Sequence, residues 1–381
     1  MVIIMAKALY IHIPFCNTIC TYCDFPKLAG ASNQIDDYIQ TLCHEMDYYR
    51  AEIATTETIY IGGGTPSSIG LKPLAILLSK IESMVRITNI TEYTIEANPQ
   101  DITTDFVKLI KSHHVSRVSV GVQTINPQLQ TSIGRHETKA IVIQAVKVLK
   151  EAEILNINLD FIYGIPGETL SDLQADIDFA VSVNPQHLSF YSLILEEKTK
   201  IMHDIKLGKI TPIDKDIEAD MYELVMNELP KHQYFQYEIS NFSKTHFQSK
   251  HNMIYWKVQP YLGLGMGAHS QVEMTRFHNY PRLAAYMKAV KTTGTGLESC
   301  DPCNLAQETG LMNLRLLEGI SVKAFHDRFG YDILTRYPLL NINIASGLLE
   351  LSDGKLRLTH RGIMLMNRVE TSFIDGSDID A

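Results

Sequence analysis

Cys16, Cys20 and Cys23 fall within one eight-residue stretch, spaced Cys-x-x-x-Cys-x-x-Cys. Thiolate sulfurs are soft ligands that suit zinc or iron–sulfur clusters. Structural zinc takes four closed ligands, and no fourth His or Cys follows at finger spacing. Three thiolates instead suit a [4Fe–4S] cluster with one iron left open. Two other readings stand beside this one: three buried free thiols, or a zinc site completed by a distant side chain. Cys43 belongs to an apolar helix face and reads as core. Cys300-Asp301-Pro302-Cys303 is a Cys-x-x-Cys outside any thioredoxin-like context, and reads as two ordinary thiols.

Further chemistry-bearing residues recur after short β-rich runs. Gly62-Gly63-Gly64-Thr65-Pro66 offers close backbone approach and free backbone groups. Glu96 precedes Asn98-Pro99, Gln123 ends Ser-Val-Gly-Val-Gln, Arg135 opens Gly134-Arg135-His136, and Asp160 precedes Tyr163-Gly164-Ile165-Pro166-Gly167. Singly, each could be a cap or a surface group. Together they sit at C-terminal strand ends, the active face of a βα barrel. The stretch 261–270 is rich in glycine but lacks the strand, turn and acidic residue of a dinucleotide-binding unit.

The elements that must position these residues can be read from periodicity. Strands are expected at 9–13, 58–61, 93–96, 117–121, 158–162 and 187–191. Helical patterns lie near 73–84, 105–112, 139–152, 170–181 and 214–230. The first helix has Ile35, Tyr38, Ile39, Leu42, Cys43 and Met46 on one face, with Ser32 or Asn33 as its cap. Six βα units imply a parallel sheet with right-handed crossovers. The fold class is therefore α/β: a partial (βα)6 barrel with a small, mainly helical C-terminal domain. That domain carries a β-hairpin at Ser352-Asp353-Gly354. The units are drawn at 1–200 (barrel and cysteine loop), 201–300 (barrel extension) and 301–381 (C-terminal domain).

The chain has 381 residues, enough to bury roughly three quarters of its unfolded surface without disulfides. Its net charge of −9 argues against a general nucleic-acid partner. No apolar run reaches the roughly 20 residues of a membrane span, so no stable membrane insertion is expected. Met1–Met5 is apolar but too short for a signal peptide. The expected compartment is the reducing cytoplasm, where a cysteine cluster more often means metal than disulfide.

The cysteine spacing, with Tyr22 before the third cysteine, resembles the radical S-adenosylmethionine (radical SAM) superfamily. Tyr10-Ile11-His12-Ile13-Pro14-Phe15-Cys16, the Gly-Gly-Gly-Thr-Pro run, Glu96, Gln123, Arg135 and Asp160 narrow the resemblance to the oxygen-independent coproporphyrinogen III oxidase family. The resemblance covers about residues 8–368. It implies a [4Fe–4S] cluster on Cys16, Cys20 and Cys23. Its open iron binds S-adenosylmethionine, which the cluster reduces to a 5′-deoxyadenosyl radical. It also implies an electron donor, and cofactor contacts from Tyr10, Tyr22, Gly63, Gly64, Thr65, Glu96, Gln123, Arg135, Asp160 and Ile194. It sets the Gly-rich stretch beside the cofactor, with His269 nearby and no ligand role assigned to it.

Two departures separate this sequence from the decarboxylating oxidase. Phe25 stands where that enzyme has a further cysteine, and only 15 residues precede Cys16. Both features resemble the HemW branch, viewed as heme-binding chaperones. His251-Asn252-Met253-Ile254-Tyr255-Trp256 is similar to that branch's His-Asn-x-x-Tyr-Trp motif. The branch implies heme as cargo, an unidentified heme-accepting protein, and no coproporphyrinogen III oxidase activity. His251 is the expected axial heme ligand, with Tyr255 and Trp256 lining the pocket. The alternative is the oxidase itself, converting coproporphyrinogen III to protoporphyrinogen IX.

Overall fold

The structure is a computed structural model that describes residues 5–374. The apolar start at 1–4 and residues 375–381, the ends of the first and last expected units, lie outside the described residues. Six strands alternate with helices: β1 (Ala8–Ile13), β2 (Thr58–Gly63), β3 (Glu92–Ala97), β4 (Arg117–Gln123), β5 (Asn156–Tyr163) and β6 (His187–Ser192). They run parallel and lie side by side in chain order. The intervening helices include α1 (Ile35–Tyr48), α2 (Leu71–Glu82), α3 (Thr104–Ser112), α4 (Lys139–Glu151) and α5 (Leu170–Val183). The α/β class and the βα order agree with the sequence reading.

Each strand has two unlike faces. Ile59 and Ile61, Tyr93 and Ile95, Val118 and Val120, and Leu188 and Phe190 are buried in the main core. Burying such a side chain contributes roughly 1.5–3 kcal/mol, which fixes the register of every strand. The alternate positions are polar: Thr58 and Tyr60, Glu92, Thr94 and Glu96, Arg117 and Ser119, Asn158 and Asp160, His187 and Ser189. Parallel strands usually read as continuous apolar runs. The polar positions instead line the inside of the partial barrel, where most of them bond to a neighbouring polar group or open into a cavity.

Helix starts follow local chemistry. The side chain of Thr169 caps α5 in a capping box with Asp172, and Thr103 and Thr138 cap α3 and α4. The expected cap of α1 is not formed. Ser32 and Asn33 lie in a 3-10 turn, and Gln34 precedes the helix with no side-chain cap bond. Asp36 and Asp37 in the first turn favour the positive end of the helix instead.

Beyond residue 195 the sheet continues on both edges. α6 (Lys215–Glu228) leads to the antiparallel pair β7 (Phe235–Glu238) and β8 (Asn241–Ser243), and β8 joins β6. α7 (Lys250–Trp256) then carries the chain to β9 (Tyr261–Leu264), which pairs parallel to β1. The Gly-rich stretch is thus a seventh parallel strand, which the sequence reading did not identify. Antiparallel β10 (His269–Val272), β11 (Thr275–Asn279) and β12 (Leu297–Pro302) follow, with α8 (Leu283–Thr293) between the last two. The full order is β12-β11-β10-β9-β1-β2-β3-β4-β5-β6-β8-β7.

The C-terminal part starts at α9 (Leu305–Leu314) and has its own core around Phe325, Ile333, Tyr337, Leu340, Leu356 and Phe373. Its hairpin joins strands Leu349–Ser352 and Lys355–Leu358, with Asp353 and Gly354 at positive φ in the turn. Among the described residues, no helix is long and apolar enough to cross a membrane.

Candidate functional site

A cavity of roughly 480 Å³ opens at the C-terminal ends of the parallel strands. That size lies within the usual range for small-molecule sites, about 300–1,000 Å³. Cys16, Cys20 and Cys23 line it, together with Tyr22, Gly63, Gly64, Thr65, Glu96, Gln123, Arg135, Asp160 and Ile194. Residues from five strands and the cysteine loop therefore converge on one volume. Tyr60, Ser119 and Tyr191 also line it and were missed from the sequence. The signal for them was period-2 alternation, which puts Tyr60 and Ser119 on the inner face with Glu96 and Asp160.

The cysteine loop is anchored by β1. His12 Nε2–H donates to the Pro26 carbonyl at 2.7 Å, so Nδ1 accepts from the Tyr10 hydroxyl at 3.0 Å. Burial lowers His12 to about 4, so the ring stays neutral in this chain of bonds. Tyr10 is thus placed differently from expectation: its hydroxyl points to His12, and the residue is absent from the cavity lining.

The glycine turn leaves space for the loop. A Cβ on Gly64 would fall 2.9 Å from Cys16 Sγ and 2.8 Å from the Phe15 carbonyl oxygen. Gly63 has φ 114°, and a Cβ there would strike the His12 ring. Thr65 Oγ1 donates to Cys16 Sγ at 3.7 Å, and Arg135 Nη1 lies 3.9 Å from Cys20 Sγ. Burial pushes the Cys16 and Cys23 thiols up, so an electropositive centre is needed to hold them as thiolates. The three thiols lie on one loop and line one cavity, which suits a cluster in which each sulfur takes its own iron.

The walls carry opposite charges. Glu96 accepts from the Tyr60 hydroxyl at 2.7 Å and the Gly63 amide at 3.1 Å. Burial nevertheless pushes its carboxyl up to about 7. Asp160 accepts from Ser119 Oγ at 2.7 Å and Asn158 Nδ2 at 2.8 Å, and burial raises it as well. Opposite them, Arg135 is held by the Gly121 carbonyl at 2.7 Å, Asn98 Oδ1 at 3.0 Å and Glu137 at 3.1 Å. A bulge after Gly121 and a positive φ of 66° at Gln123 bring the Gln123 side chain into the same volume. Phe25, Ile19 and Ile194 are exposed apolar side chains at the rim. Such a site fits a ligand that bears both cationic and anionic groups.

His251 lies elsewhere. It is fully buried, and both ring nitrogens are engaged: Nδ1 with Thr58 Oγ1 at 2.8 Å and Nε2 with the Tyr255 hydroxyl at 2.8 Å. Burial lowers its pKa to about 3. Glu92 caps the start of α7, accepting from Ser249 Oγ and from the Lys250 and His251 amides at 3.0–3.2 Å. Trp256 packs under Arg315 at 5.0 Å. The placement does not support axial ligation by His251, because freeing a ring lone pair there would break a hydrogen bond between buried groups. α7 instead forms the floor beneath Tyr60, whose ring lies 5.2 Å from that of His251.

Comparisons with known proteins agree with this geometry. The description "Radical SAM superfamily" matches residues 10–180, and "HemN C-terminal domain" matches residues 301–365. The heme chaperone HemW of Bacillus subtilis (strain 168) is 35% identical over 375 residues, which cover 97% of this chain and 99% of that protein. The HemW of Lactococcus lactis subsp. lactis is also 35% identical, over 96% of each chain. This chain belongs to the HemW family of radical SAM proteins. A solved structure of coproporphyrinogen III oxidase (HemN) from Escherichia coli, a radical SAM enzyme, has a TM-score of 0.83 at 18% identity. The match covers 97% of this chain and 90% of that one, and shows a shared fold. The resemblance read from the sequence is therefore upheld at the level of superfamily, branch and fold.

Proposed function

We propose that this chain is a heme chaperone of the radical SAM type: it holds a [4Fe–4S] cluster with S-adenosylmethionine, carries heme, and passes it to an acceptor protein. The observation that carries the reading is one cavity lined at once by three free thiols, a glycine turn and buried groups of both charges. Full-length similarity to proteins named heme chaperone HemW supplies the heme.

Cys16, Cys20 and Cys23 would hold the cluster. Gly63, Gly64 and Thr65 would present backbone to the methionine end of the cofactor, and Glu96 its carboxylate to a ribose hydroxyl. Arg135 would balance negative charge beside Cys20. Asp160, Gln123, Tyr22 and Ile194 would complete the wall. When bound, the cluster supplies a single electron at an iron with an open position. The chain's own groups bind, orient and exclude water. An electron donor and a reducing, cytoplasmic setting follow from the cluster chemistry and agree with six free cysteines. The exposed Phe25 at the rim stands where the oxidase has another cysteine, which favours a carrier over a decarboxylase.

The test is anaerobic purification and cluster reconstitution, followed by parallel incubation with hemin and with coproporphyrinogen III. Wild type should contain about four irons per chain, retain hemin and make no protoporphyrinogen IX. Cys16→Ala, Cys20→Ala or Cys23→Ala should each lose the brown chromophore. Stoichiometric zinc in place of iron sinks the cluster assignment, and multiple turnovers of coproporphyrinogen III would make the chain an oxidase.

A further inference from the structure

We propose that His269 and His278 form the heme-docking station of this chain, one imidazole of the pair taking an axial position on the porphyrin iron. The inference rests on the reading that the chain carries heme, and it names the site that reading leaves unassigned.

Sheet register places the pair. Tyr60 lies opposite Tyr10, and Tyr10 opposite Gly263. β9 and β10 align Tyr261 with Gln271, which sets Gly263 against His269, and His269 lies directly opposite His278. One row on one sheet face thus runs Tyr60, Tyr10, Gly263, His269, His278. Since Tyr60 lines the cofactor cavity, the histidines share its face. Three strand spacings, about 14 Å, separate His269 from Tyr60, and four, about 19 Å, separate His278 from it. The turn that leads into His269 packs on the cysteine loop, where a Cβ on Gly267 would fall 2.7 Å from Pro26.

The two rings are prepared for a metal centre. Their centroids are 5.1 Å apart. His278 Nδ1 faces the Asn279 carbonyl at 3.3 Å and Glu298 Oε2 at 3.6 Å. A carbonyl or carboxylate on one ring nitrogen fixes the tautomer and leaves Nε2 as the ligand. Among the described residues, no hydrogen bond engages the His269 ring, and His269 is exposed. Partial desolvation of the ring, with His278 and Arg276 nearby, lowers its pKa, which favours the neutral imidazole that can ligate. Arg276, on the same face, is about half-exposed and pairs with Glu308 at 3.0 Å. It offers a guanidinium to a propionate carboxylate.

The spacing decides the mode. Two imidazoles on opposite sides of one porphyrin iron would stand about 6 Å apart, centroid to centroid, with the macrocycle between them. Rings 5.1 Å apart on one sheet face allow only one axial bond at a time. The other iron face stays open for an acceptor's ligand, as transfer requires. A bare divalent ion could instead take both rings, since tetrahedral geometry puts them about 5 Å apart. Shared imidazole chemistry thus admits heme iron or a free ion.

The experiment titrates hemin into the anaerobic, cluster-loaded full chain and follows the Soret band. His269→Ala, His278→Ala and the double variant are compared with wild type, and His269→Gln/His278→Gln guards against loss of folding. Iron, sulfide and circular dichroism should be unchanged in every variant. The double variants should lose the ligated Soret maximum and bind hemin at least tenfold more weakly. Single variants should fall between, since either ring can substitute for the other. Unchanged spectra and affinity in the double variants overturn the station while leaving the chaperone reading intact. A wild type that binds no hemin overturns both. A second arm titrates Zn²⁺. If the pair binds Zn²⁺ and its loss leaves hemin binding unaltered, the site belongs to a free ion and the heme assignment is wrong.

Discussion

Glu96 shows how much a single residue depends on its surroundings. The motif resemblance placed it among the S-adenosylmethionine contacts. Its carboxyl lies buried beside Asp160, bonded by Tyr60 and Gly63, with a pKa raised from 4.5 to about 7. A raised folded-state pKa means that the folded chain keeps the proton longer than the unfolded one. The protein without cofactor is therefore most stable below about pH 4.5 with respect to this group. Stability falls as pH rises through 7 and levels off above it. The loss should be on the order of 3 kcal/mol. Urea unfolding of wild type and Glu96→Gln at pH 5 and pH 8 measures it. Glu168 and Asp176, raised to about 8 and about 7, titrate in the same window in both proteins. The difference between the two proteins isolates Glu96, and equal pH dependence would show that its carboxyl is not destabilised by burial.

At the scale of elements, α7 is the instructive segment. Its His-Asn-x-x-Tyr-Trp signature and its helical spacing were legible, and His251 and Tyr255 do meet across one turn. The side on which the helix docks was not legible. Thr58 and His251 are 193 residues apart in the chain, and no local periodicity reports such a contact. Because Thr58 and His251 form a buried bond, Thr58→Val should destabilise the chain by about 1–3 kcal/mol while keeping its volume. Hemin binding should not change. Chemical denaturation with a parallel hemin titration checks both outcomes, and a weakened Soret band would return the heme site to α7.

For the whole molecule, Glu45 on α1 ties the sheet extension to the barrel. Its carboxylate accepts from the Gly265 and Gly296 amides, Asn279 Nδ2 and the Tyr286 hydroxyl, all at 2.8–2.9 Å. Glu45→Ala leaves the Gly265 and Gly296 amides and the Tyr286 hydroxyl without this acceptor, while Asn279 Nδ2 keeps its bond to the Gly265 carbonyl, and should cost about 3–5 kcal/mol. Amide hydrogen exchange should then quicken across residues 265–302 and change little in β3 to β5. Uniform acceleration would mean that the extension and barrel unfold as one unit. The extension also carries His269 and His278, so hemin binding should weaken in the same variant.

The amino-acid sequence by itself determined the cysteine loop after β1, the six alternating βα units, the glycine turn, and many of the residues that line the cavity. These are local matters: spacing along a strand, a cap, a turn, a soft ligand set within eight residues. Tertiary structure alone decided that Tyr60, Ser119 and Tyr191 join the cavity, while Tyr10 turns to His12 and His251 becomes part of the floor. It also decided that the Gly-rich stretch pairs with β1 and sets His269 against His278. The reason is physical. Period-2 alternation says that a strand has two faces, but which face is buried, and against which distant segment, is settled only when the strands pair and the helices cover one side.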